Sequence, residues 1–303
     1  MDNNYLIFDI GGTNLKYGIL SDAGIIIEKN KISTPKNDLK QFMAVIKDII
    51  DFYYGKIKGI AFSCPGKVDE ATETIHFGGS LPFLDGLQLK KELNKKYKIP
   101  ISVENDGKSA ALAELWLGNL KNIQNGAAIV LGTGIGGGIV INGKLILGTH
   151  FQAGELSFMF NNKSENGLAK LTGFNTSAVG MIESISKKLK IRNDGFVVFK
   201  EINSGNKIAN DIFHEFCKNV AILIMNIQSV VDLQRFVISG GISAQPILIK
   251  TINEEYDKLH QETPFIREMM TKPEIMNSKF NNDVNLFGAL YHLLLQLNTI
   301  KYN

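Results

Sequence analysis

Apolar residues in the first part of the chain alternate between strand-like runs and a helical spacing. Three apolar runs joined by tight turns predict three β-strands, namely YLIFDI (5–10), LKYGIL (15–20) and GIIIEK (24–29). The segment 38–54 carries apolar residues three and four positions apart, which predicts a helix capped by Asn37 or Asp38. The other elements predicted here are a strand at 56–63, a helix at 86–97, a strand at 99–105 and a helix at 106–118. The order βββαβ…αβα predicts an α/β fold.

The pattern restarts after Gly118. GAAIVLG (126–132) predicts a strand that enters a glycine-rich turn, and GIVINGKLILG (138–148) predicts a hairpin around an Asn-Gly turn. Further elements are predicted as helices at 174–190 and 206–231, a strand at 235–241, and helices at 243–259 and 283–298. Each half opens with a strand, a glycine turn and a second strand, which indicates a weak internal duplication.

The two glycine turns, DIGGT (9–13) and LGTGIGGG (131–138), are candidates for phosphate binding. Both lead into a strand, whereas the glycine turn of a Rossmann or P-loop site leads into a helix, and neither is followed by the Gly-Lys-Ser/Thr of a P-loop. Those two nucleotide folds are therefore disfavoured. Two similar halves, each supplying one phosphate loop, would hold one nucleotide between them. Each turn taken alone is equally compatible with a simple tight hairpin.

Composition and charge narrow the class of protein. The chain has 303 residues, of which 44% are hydrophobic and 21% charged, and its net charge is +3, so it is typical of an ordinary globular protein. The most basic run, KKELNKKYK (90–98), is interpreted as the solvated face of a helix, and no nucleic-acid partner is expected. The two cysteines, Cys64 and Cys217, indicate neither a disulfide framework nor a CxxC zinc site. With no signal-like N-terminus and no apolar run of the membrane-spanning length of about 18 residues, a cytoplasmic protein without membrane contact is expected.

Several segments together resemble the ROK family, which contains bacterial sugar kinases and sugar-responsive repressors of the actin-like ATPase superfamily. They are FDIGGTNLKYGIL (8–20), VENDGKSAALAE (103–114), VLGTGIGGGIVINGKLILG (130–148), AGE (153–155), VISGGIS (237–243) and NDVNLFGALYHL (282–293). The resemblance covers most of the chain and implies duplicated ribonuclease-H-like domains with nucleotide and sugar in the cleft between them. The implied domains are residues 1–118 with the C-terminal helix 283–303, and residues 119–282. The implied activity is ATP-dependent phosphorylation of a hexose or a close relative.

The resemblance also implies the residues that hold ATP and Mg²⁺. Asp9 would hold Mg²⁺ through water, although a carboxylate there is also compatible with a turn cap. The first phosphate loop would be Gly11, Gly12 and Thr13, and the second would be Gly132, Thr133, Gly134, Gly136 and Gly137. Gly240 and Gly241 resemble the turn that contacts adenosine, although SGG by itself is typical of an ordinary turn.

Asp106 is the catalytic candidate. From the local sequence alone it suits the N-cap of the helix that it opens, because aspartate is a preferred cap. The resemblance of VENDGKSAALAE to the family motif implies instead that Asp106 accepts the proton of the attacking sugar hydroxyl group. By the same resemblance Asn105, Asp106 and Glu155 would contact sugar hydroxyl groups, and Pro65 and Gly66 would line the sugar pocket.

The sequence departs from the family pattern after the Gly-Glu pair. Zinc-bearing members carry a histidine where Phe158 stands, followed by a cysteine cluster whose last glutamate falls near Leu168, so no zinc site is expected here. Because the two replaced polar residues also contact the sugar in those members, the pocket wall is expected to be more apolar. This favours a substrate with a bulky or less polar substituent, such as a β-glucoside or an N-acylhexosamine, and leaves glucose open. The histidines are interpreted as structural or surface residues: His76, His150, His214, His260 and His292.

Two rival functions remain at this point. A sugar sensor without catalytic activity is compatible with the altered sugar wall, although the first strand at residue 5 is expected to leave no room for the helix-turn-helix segment of the family repressors. Another actin-like ATPase would carry similar phosphate loops, but an END triplet before a helix is not expected in it. A homodimer is expected at the level of the family only.

Overall fold

The computed structural model describes residues 3–161 and 167–297. Contacts divide the chain into two compact units. The first comprises Met1–Asn122, Gly143–Ala153 and Asp283–Asn303, and the second comprises Ile123–Asn142 and Gly154–Asn282. The domain boundaries expected from the sequence at 118 and 283 remain a prediction.

The described residues form the following elements in chain order. The strands are β1 (Asn4–Ile10), β2 (Asn14–Ser21), β3 (Ile26–Ser33), β4 (Ile60–Cys64), β5 (Lys67–Asp69), β6 (Thr74–His76), β7 (Ile101–Asn105), β8 (Gly126–Leu131), β9 (Ile135–Ile141), β10 (Lys144–Leu145), β11 (Arg235–Gly240) and β12 (Glu274–Asn277). The helices are α1 (Leu39–Tyr53), α2 (Leu89–Asn94), α3 (Asp106–Leu117), α4 (Thr172–Asn175), α5 (Ala178–Leu189), α6 (Gly195–Asn203), α7 (Lys207–Val231), α8 (Pro246–Glu262), α9 (Pro264–Met269) and α10 (Val284–Gln296).

The first unit is built on a sheet of strand order β3-β2-β1-β4-β7. β1 pairs antiparallel with β2 and parallel with β4, and β4 pairs parallel with β7. In this register Asp9 lies beside Ser63, and Cys64 lies beside Asn105. The carboxyl ends of three strands distant in sequence therefore meet at one edge of the sheet, which confirms the predicted α/β class.

Helix α10 covers this sheet and packs against α3. A Cβ atom at Gly288 would overlap the carbonyl oxygen of Ser109, so the two helix backbones are in direct contact. The rings of Trp116 and Tyr291 stack with centroids 5.3 Å apart beside this crossing. The last helix of the chain therefore belongs to the hydrophobic packing of the first unit.

The sheet of the second unit repeats the strand pairing with which the sheet of the first unit begins. β8 pairs antiparallel with β9 and parallel with β11, and β11 pairs parallel with β12. The long helix α7 packs against α5, α6 and α8, and its apolar face contributes Phe213, Val220 and Ile224 to a continuous core. The described residues include no helix long and apolar enough to cross a membrane.

The structure differs from the predicted elements mainly where segments are short. The predicted helix 174–190 is broken, because the hydroxyl group of Ser177 accepts a hydrogen bond from the N–H of Gly180 at 2.9 Å and starts α5 anew. The β5–β6 hairpin was not predicted, since strands of three residues carry too few positions to show an alternation. The other elements missing from the prediction are α6, α9 and β12.

The contact between α10 and α3 predicts a large effect of one added methyl group. Gly288→Ala should destabilise the protein by about 3 kcal/mol, because the backbone of Ser109 has no rotamer with which to move away. The matched control is Gly55→Ala, where no atom lies within 4 Å of the added carbon, and its effect should stay below about 1 kcal/mol. Urea unfolding of both variants measures the difference, and equal stabilities would contradict the close approach.

Candidate active site

Asp9 lies near the end of β1 with both carboxylate oxygens engaged. Oδ2 lies 3.1 Å from Nζ of Lys16, which is its register partner on β2, and Oδ1 accepts a hydrogen bond from the side-chain amide of Asn285 at 3.0 Å. Each oxygen of an ionised carboxylate can accept more than one contact, so these two contacts are compatible with an ion held through water. Lys16 and Asn285 are polar neighbours that the sequence analysis did not identify.

The first glycine turn joins β1 to β2 and is closed by its own backbone. The N–H of Gly11 donates to the carbonyl oxygen of Asn14 at 3.0 Å, and the carbonyl oxygen of Gly11 accepts the hydroxyl of Thr34 at 2.6 Å. A Cβ atom at Gly12 would overlap the hydroxyl oxygen of Ser80. The next residue, Thr13, is exposed. The glycines thus fit the backbone of the turn tightly against its neighbours.

Asn105 and Asp106 form a corner between β7 and α3. Asn105 is the N-cap, because its Oδ1 accepts the N–H of Lys108 at 3.1 Å. The local interpretation of Asp106 as the cap is therefore wrong, and Asp106 is the first residue of the helix. Its Oδ1 accepts the N–H of Gly107 at 2.8 Å and the side-chain amide of Asn105 at 3.0 Å. Both donors hold the same oxygen of the Asp106 carboxylate at the N-terminus of the helix.

The Pro65–Gly66 loop reaches this corner from the end of β4. The side-chain amide of Asn105 donates to the carbonyl oxygen of Gly66 at 2.8 Å. Gly66 has a φ of +89°, and a Cβ atom there would overlap the carbonyl oxygen of Phe77, so only glycine fits. The first unit therefore brings together the predicted residues of the sugar loop and of the END triplet.

A cluster of ionisable side chains behind the corner was missed by the sequence analysis. Nε2 of His292 lies 3.3 Å from Oε1 of Glu70 and 3.8 Å from Oε2 of Glu104. Burial raises the pKa of Glu104 above its ordinary value. Burial by itself would lower the pKa of His292, but the two carboxylates outweigh it and raise that pKa. Glu104 is a charged residue inside the buried strand ISVEN, which indicates that it needs a polar partner. The sequence does not identify that partner, because His292 lies 188 positions further along the chain.

The second glycine turn joins β8 to β9 in the second unit. The N–H of Gly132 donates to the carbonyl oxygen of Gly134 at 3.0 Å, and the carbonyl oxygen of Gly132 accepts the first N–H groups of α5. Thr133 is exposed at the tip, and Gly136 continues into β9. A Cβ atom at Gly137 would lie 2.5 Å from the side chain of Leu156, so this glycine has a packing reason of its own.

The Gly240–Gly241 turn follows β11. Gly240 has a φ of +107°, and a Cβ atom there would overlap the carbonyl oxygen of Leu131. Its carbonyl oxygen accepts both the N–H and the hydroxyl of Ser243, at 3.0 and 2.8 Å. No atom lies within 4 Å of the Cβ position of Gly241. The turn is thus fixed on one side and leaves open space beside the backbone on the other.

Glu155 begins a segment in which Leu156 is buried but other apolar side chains are exposed. The N–H of Phe158 donates to the carbonyl oxygen of Glu155 at 3.2 Å, which closes a 3₁₀ turn over Leu156–Phe158. Phe158 is 58% and Leu168 is 68% exposed, at the two positions where the sequence departs from the family pattern. Other exposed aromatic side chains near them in sequence are Phe160 and Phe174.

The raised pKa of His292 predicts how its contribution to stability depends on pH. A group whose pKa is higher in the folded than in the unfolded state stabilises the folded state when it is protonated. For a histidine this stabilisation is complete below the pKa of the unfolded state, near 6.5, and it is lost as the pH rises through the pKa of the folded state. His292→Gln should therefore lower the free energy of unfolding more at pH 6 than at pH 9. Urea unfolding across this range measures it.

The control for this pH series is Ala289→Gly, which weakens the same helix without removing a titratable group. Its loss of stability should not depend on pH. A loss for His292→Gln that is constant, or that grows as the pH rises, would contradict the interaction with the two carboxylates.

Comparison with known proteins places the chain in a family. The model of the ROK family matches residues 5–295. A beta-glucoside kinase of Listeria monocytogenes serovar 1/2a is 30% identical over 296 residues, which covers 96% of this chain and 97% of that protein. A glucokinase of Halalkalibacterium halodurans is 28% identical over 99% of this chain and 98% of its own length.

The solved structures agree with the sequence comparison. A ROK family protein from Streptococcus pneumoniae TIGR4, determined in complex with sucrose, superposes with a TM-score of 0.87 at 28% identity and covers 98% of this chain and all of that one. Together with the strand order of the first unit, this similarity identifies the actin-like ATPase fold. The chain therefore belongs to the ROK family.

Proposed function

We propose that this chain is an ATP-dependent kinase that phosphorylates a hydroxyl group of a hexose or hexose derivative, with Asp106 as the base. The observation that supports this most strongly is the corner at the end of β7. There the Asp106 carboxylate is hydrogen-bonded by Asn105, whose amide also holds the Pro65–Gly66 loop. The names of the similar kinases agree with the proposal.

The proposed reaction requires Asp106 to orient a hydroxyl group of the sugar and to accept its proton. The sugar oxygen forms a bond to the γ-phosphorus while the bond from that phosphorus to the β-phosphate oxygen breaks, and the hydroxyl proton passes to the Asp106 carboxylate. A loose transition state requires little basicity, so an ionised carboxylate fixed by two donors suffices. Asn105 and Glu155 would hydrogen-bond other hydroxyl groups of the sugar.

The two glycine turns would hold the phosphates, and Mg²⁺ would neutralise their charge. Gly11, Gly12 and Thr13 lie at the same sheet edge as Asp9, which would hold the ion through water while it keeps its contacts with Lys16 and Asn285. In the second unit the proposed phosphate residues are Gly132, Thr133, Gly134, Gly136 and Gly137, and Gly240 and Gly241 would contact the nucleoside. Open space beside Gly241 leaves room for it.

The preferred substrate is proposed to be a β-glucoside. A curated relative at 30% identity is a beta-glucoside kinase. Phe158 and Leu168 present apolar surface where zinc-bearing members have polar groups, and such a surface gains contact with the substituent on the sugar but not with the hydroxyl groups of glucose. An N-acylhexosamine is the alternative substrate, and a sensor that binds sugar without turnover is the alternative function.

The role of Asp106 predicts the effect of an isosteric change. Asp106→Asn should lower kcat for sugar-dependent ADP formation by about 10²–10⁴-fold, because the amide accepts no proton. Asp38→Asn is the matched control: Asp38 caps α1 through the N–H of Gln41, and asparagine caps equally well. Unchanged kcat in Asp106→Asn would exclude Asp106 as the base, and sugar binding without turnover by the parent protein would favour the sensor.

The apolar segment predicts a change in substrate preference. Phe158→His should lower the ratio of kcat/KM for an aryl β-glucoside to that for glucose by about fivefold, the order expected for losing part of an apolar contact. Phe196→His changes another exposed phenylalanine of the second unit, 84% exposed on α6, and should leave the ratio unchanged. A parent protein that strongly prefers glucose would contradict the proposed substrate.

A further inference from the structure

The Glu70–Glu104–His292 cluster joins three elements that are far apart in sequence. Glu104 lies in β7 and is 2% exposed, His292 lies in α10 and is 7% exposed, and Glu70 directly follows β5. Nε2 of His292 faces a carboxylate oxygen of each glutamate. The buried pair Glu104 and His292 thus meets the carboxylate of Glu70, which is exposed to water.

Glu104 connects this cluster to the proposed catalytic corner. Its Oε1 accepts the backbone N–H of Asn105 at 2.7 Å. Asn105 in turn caps α3 and donates its side-chain amide to Asp106 at 3.0 Å. The carboxylate of Glu104 therefore holds the backbone at the residue that orients Asp106.

The second oxygen of Glu104 needs a positive or donor group. Oε2 has no hydrogen-bond partner among the described residues, and a buried carboxylate without compensation is strongly unfavourable. Two lysines also act on the cluster: Lys90 on α2 pairs with Glu73, and Lys108 on α3 donates its ammonium group to the carbonyl oxygen of Phe151 at 2.8 Å. Nε2 of His292 lies 3.8 Å from Oε2, the distance of an ion pair and not of a hydrogen bond, and the same Nε2 lies 3.2 Å from the side-chain amide nitrogen of Gln296.

The remaining ionisable neighbour is the thiol of Cys64, at the end of β4. Burial raises the pKa of this thiol well above its ordinary value, so it carries no charge near neutral pH. The hydrogen bond from His292 lowers the pKa of Glu70 and keeps that carboxylate ionised. The ionisable groups around the imidazole are therefore Glu70, Glu104, Lys108, and Lys90 with its partner Glu73.

The Glu70–Glu104–His292 cluster could be compensated by a proton on His292 or by a metal ion. The three ligand atoms lie within 4.8 Å of one another, a spacing that a divalent cation could bridge. A metal ion on Nε2 would place the ring proton on Nδ1, and histidines that bind metals normally donate that proton to an acceptor. Nδ1 of His292 has no hydrogen-bond partner in the described part of the chain. A doubly protonated imidazole carries the same unpaired Nδ1–H, so the metal content of the purified protein decides between a proton and a metal ion.

We propose that His292 is a positioning residue for the phosphoryl transfer: its imidazole, 3.3 Å from Glu70 and 3.8 Å from Glu104, holds the Glu104 carboxylate as an ion pair and through it fixes Asn105 and Asp106. This inference rests on the proposed function and requires no contact between His292 and the substrates. Helix α10 carries the anchor together with Asn285, the partner of Asp9. One helix thus supports both polar groups at the sheet edge.

The experiment compares two histidine–glutamate pairs of the same protein. His292→Gln should lower kcat with saturating sugar by about tenfold, because a small displacement of the base acts on the transition state, while the KM for ATP changes less than twofold. The matched control is His214→Gln in the second unit. It removes the contact of 2.9 Å between Nδ1 of His214 and Oε1 of the buried Glu255. It should lower the melting temperature without changing kcat.

A second variant separates charge from folding. Glu104→Gln combined with His292→Gln leaves two neutral amides of nearly the same shape, and the amide oxygen introduced at position 104 would still accept the N–H of Asn105. In this double variant kcat should therefore recover at least threefold over His292→Gln alone. Equal kcat in His292→Gln and His214→Gln, no recovery in the double variant, or one equivalent of divalent metal ion in the purified protein that His292→Gln removes would each overturn the inference. Failure of the proposed function is seen separately, as a parent protein without sugar-dependent ADP formation.

Discussion

The parallel pairing of β1, β4 and β7 is the constraint on which the first unit depends. Parallel neighbours send their carboxyl ends to one edge of the sheet, and the register places Asp9 beside Ser63 and Cys64 beside Asn105. Three loops that are far apart in sequence thereby start at the same edge. The parallel pairing therefore explains why the glycine turn after β1, the Pro65–Gly66 loop and the END triplet are neighbours in the fold.

Helix α10 completes that edge from the end of the chain. Asn285, Gly288 and His292 are spaced by three and four residues, so they lie on one face of the helix. Gly288 lets this face approach the backbone of α3, Asn285 then reaches Asp9, and His292 reaches Glu104. The close helix contact and the two polar contacts are consequences of a single packing arrangement.

The sequence was sufficient where the information is local. Apolar periodicity predicted the strands β1, β2 and β7 and the helices α1, α3 and α7 to within a few residues, and the order of elements predicted the fold class. Sequence analysis failed where interacting residues are far apart along the chain or where an element is short. Asp106 and Asn105 are both good caps, and only the hydrogen bond to the N–H of Lys108 decides between them. Nothing near His292 indicates Glu104, because their meeting depends on how α10 crosses the sheet.

Glycine content is weaker support for phosphate binding than position in the fold. Gly240 is required by its positive φ and by the backbone of Leu131, and Gly12 and Gly137 lie in close contact with the side chains of Ser80 and Leu156, before any ligand is considered. Open space at the Cβ position distinguishes Gly241 from these residues. The turn after β1 lies at the same sheet edge as Asp9 and Asn105, where a bound phosphate would meet the proposed base Asp106 and the carboxylate proposed to hold Mg²⁺, Asp9. A phosphate loop is therefore better recognised by what the sheet places beside it than by the number of its glycines.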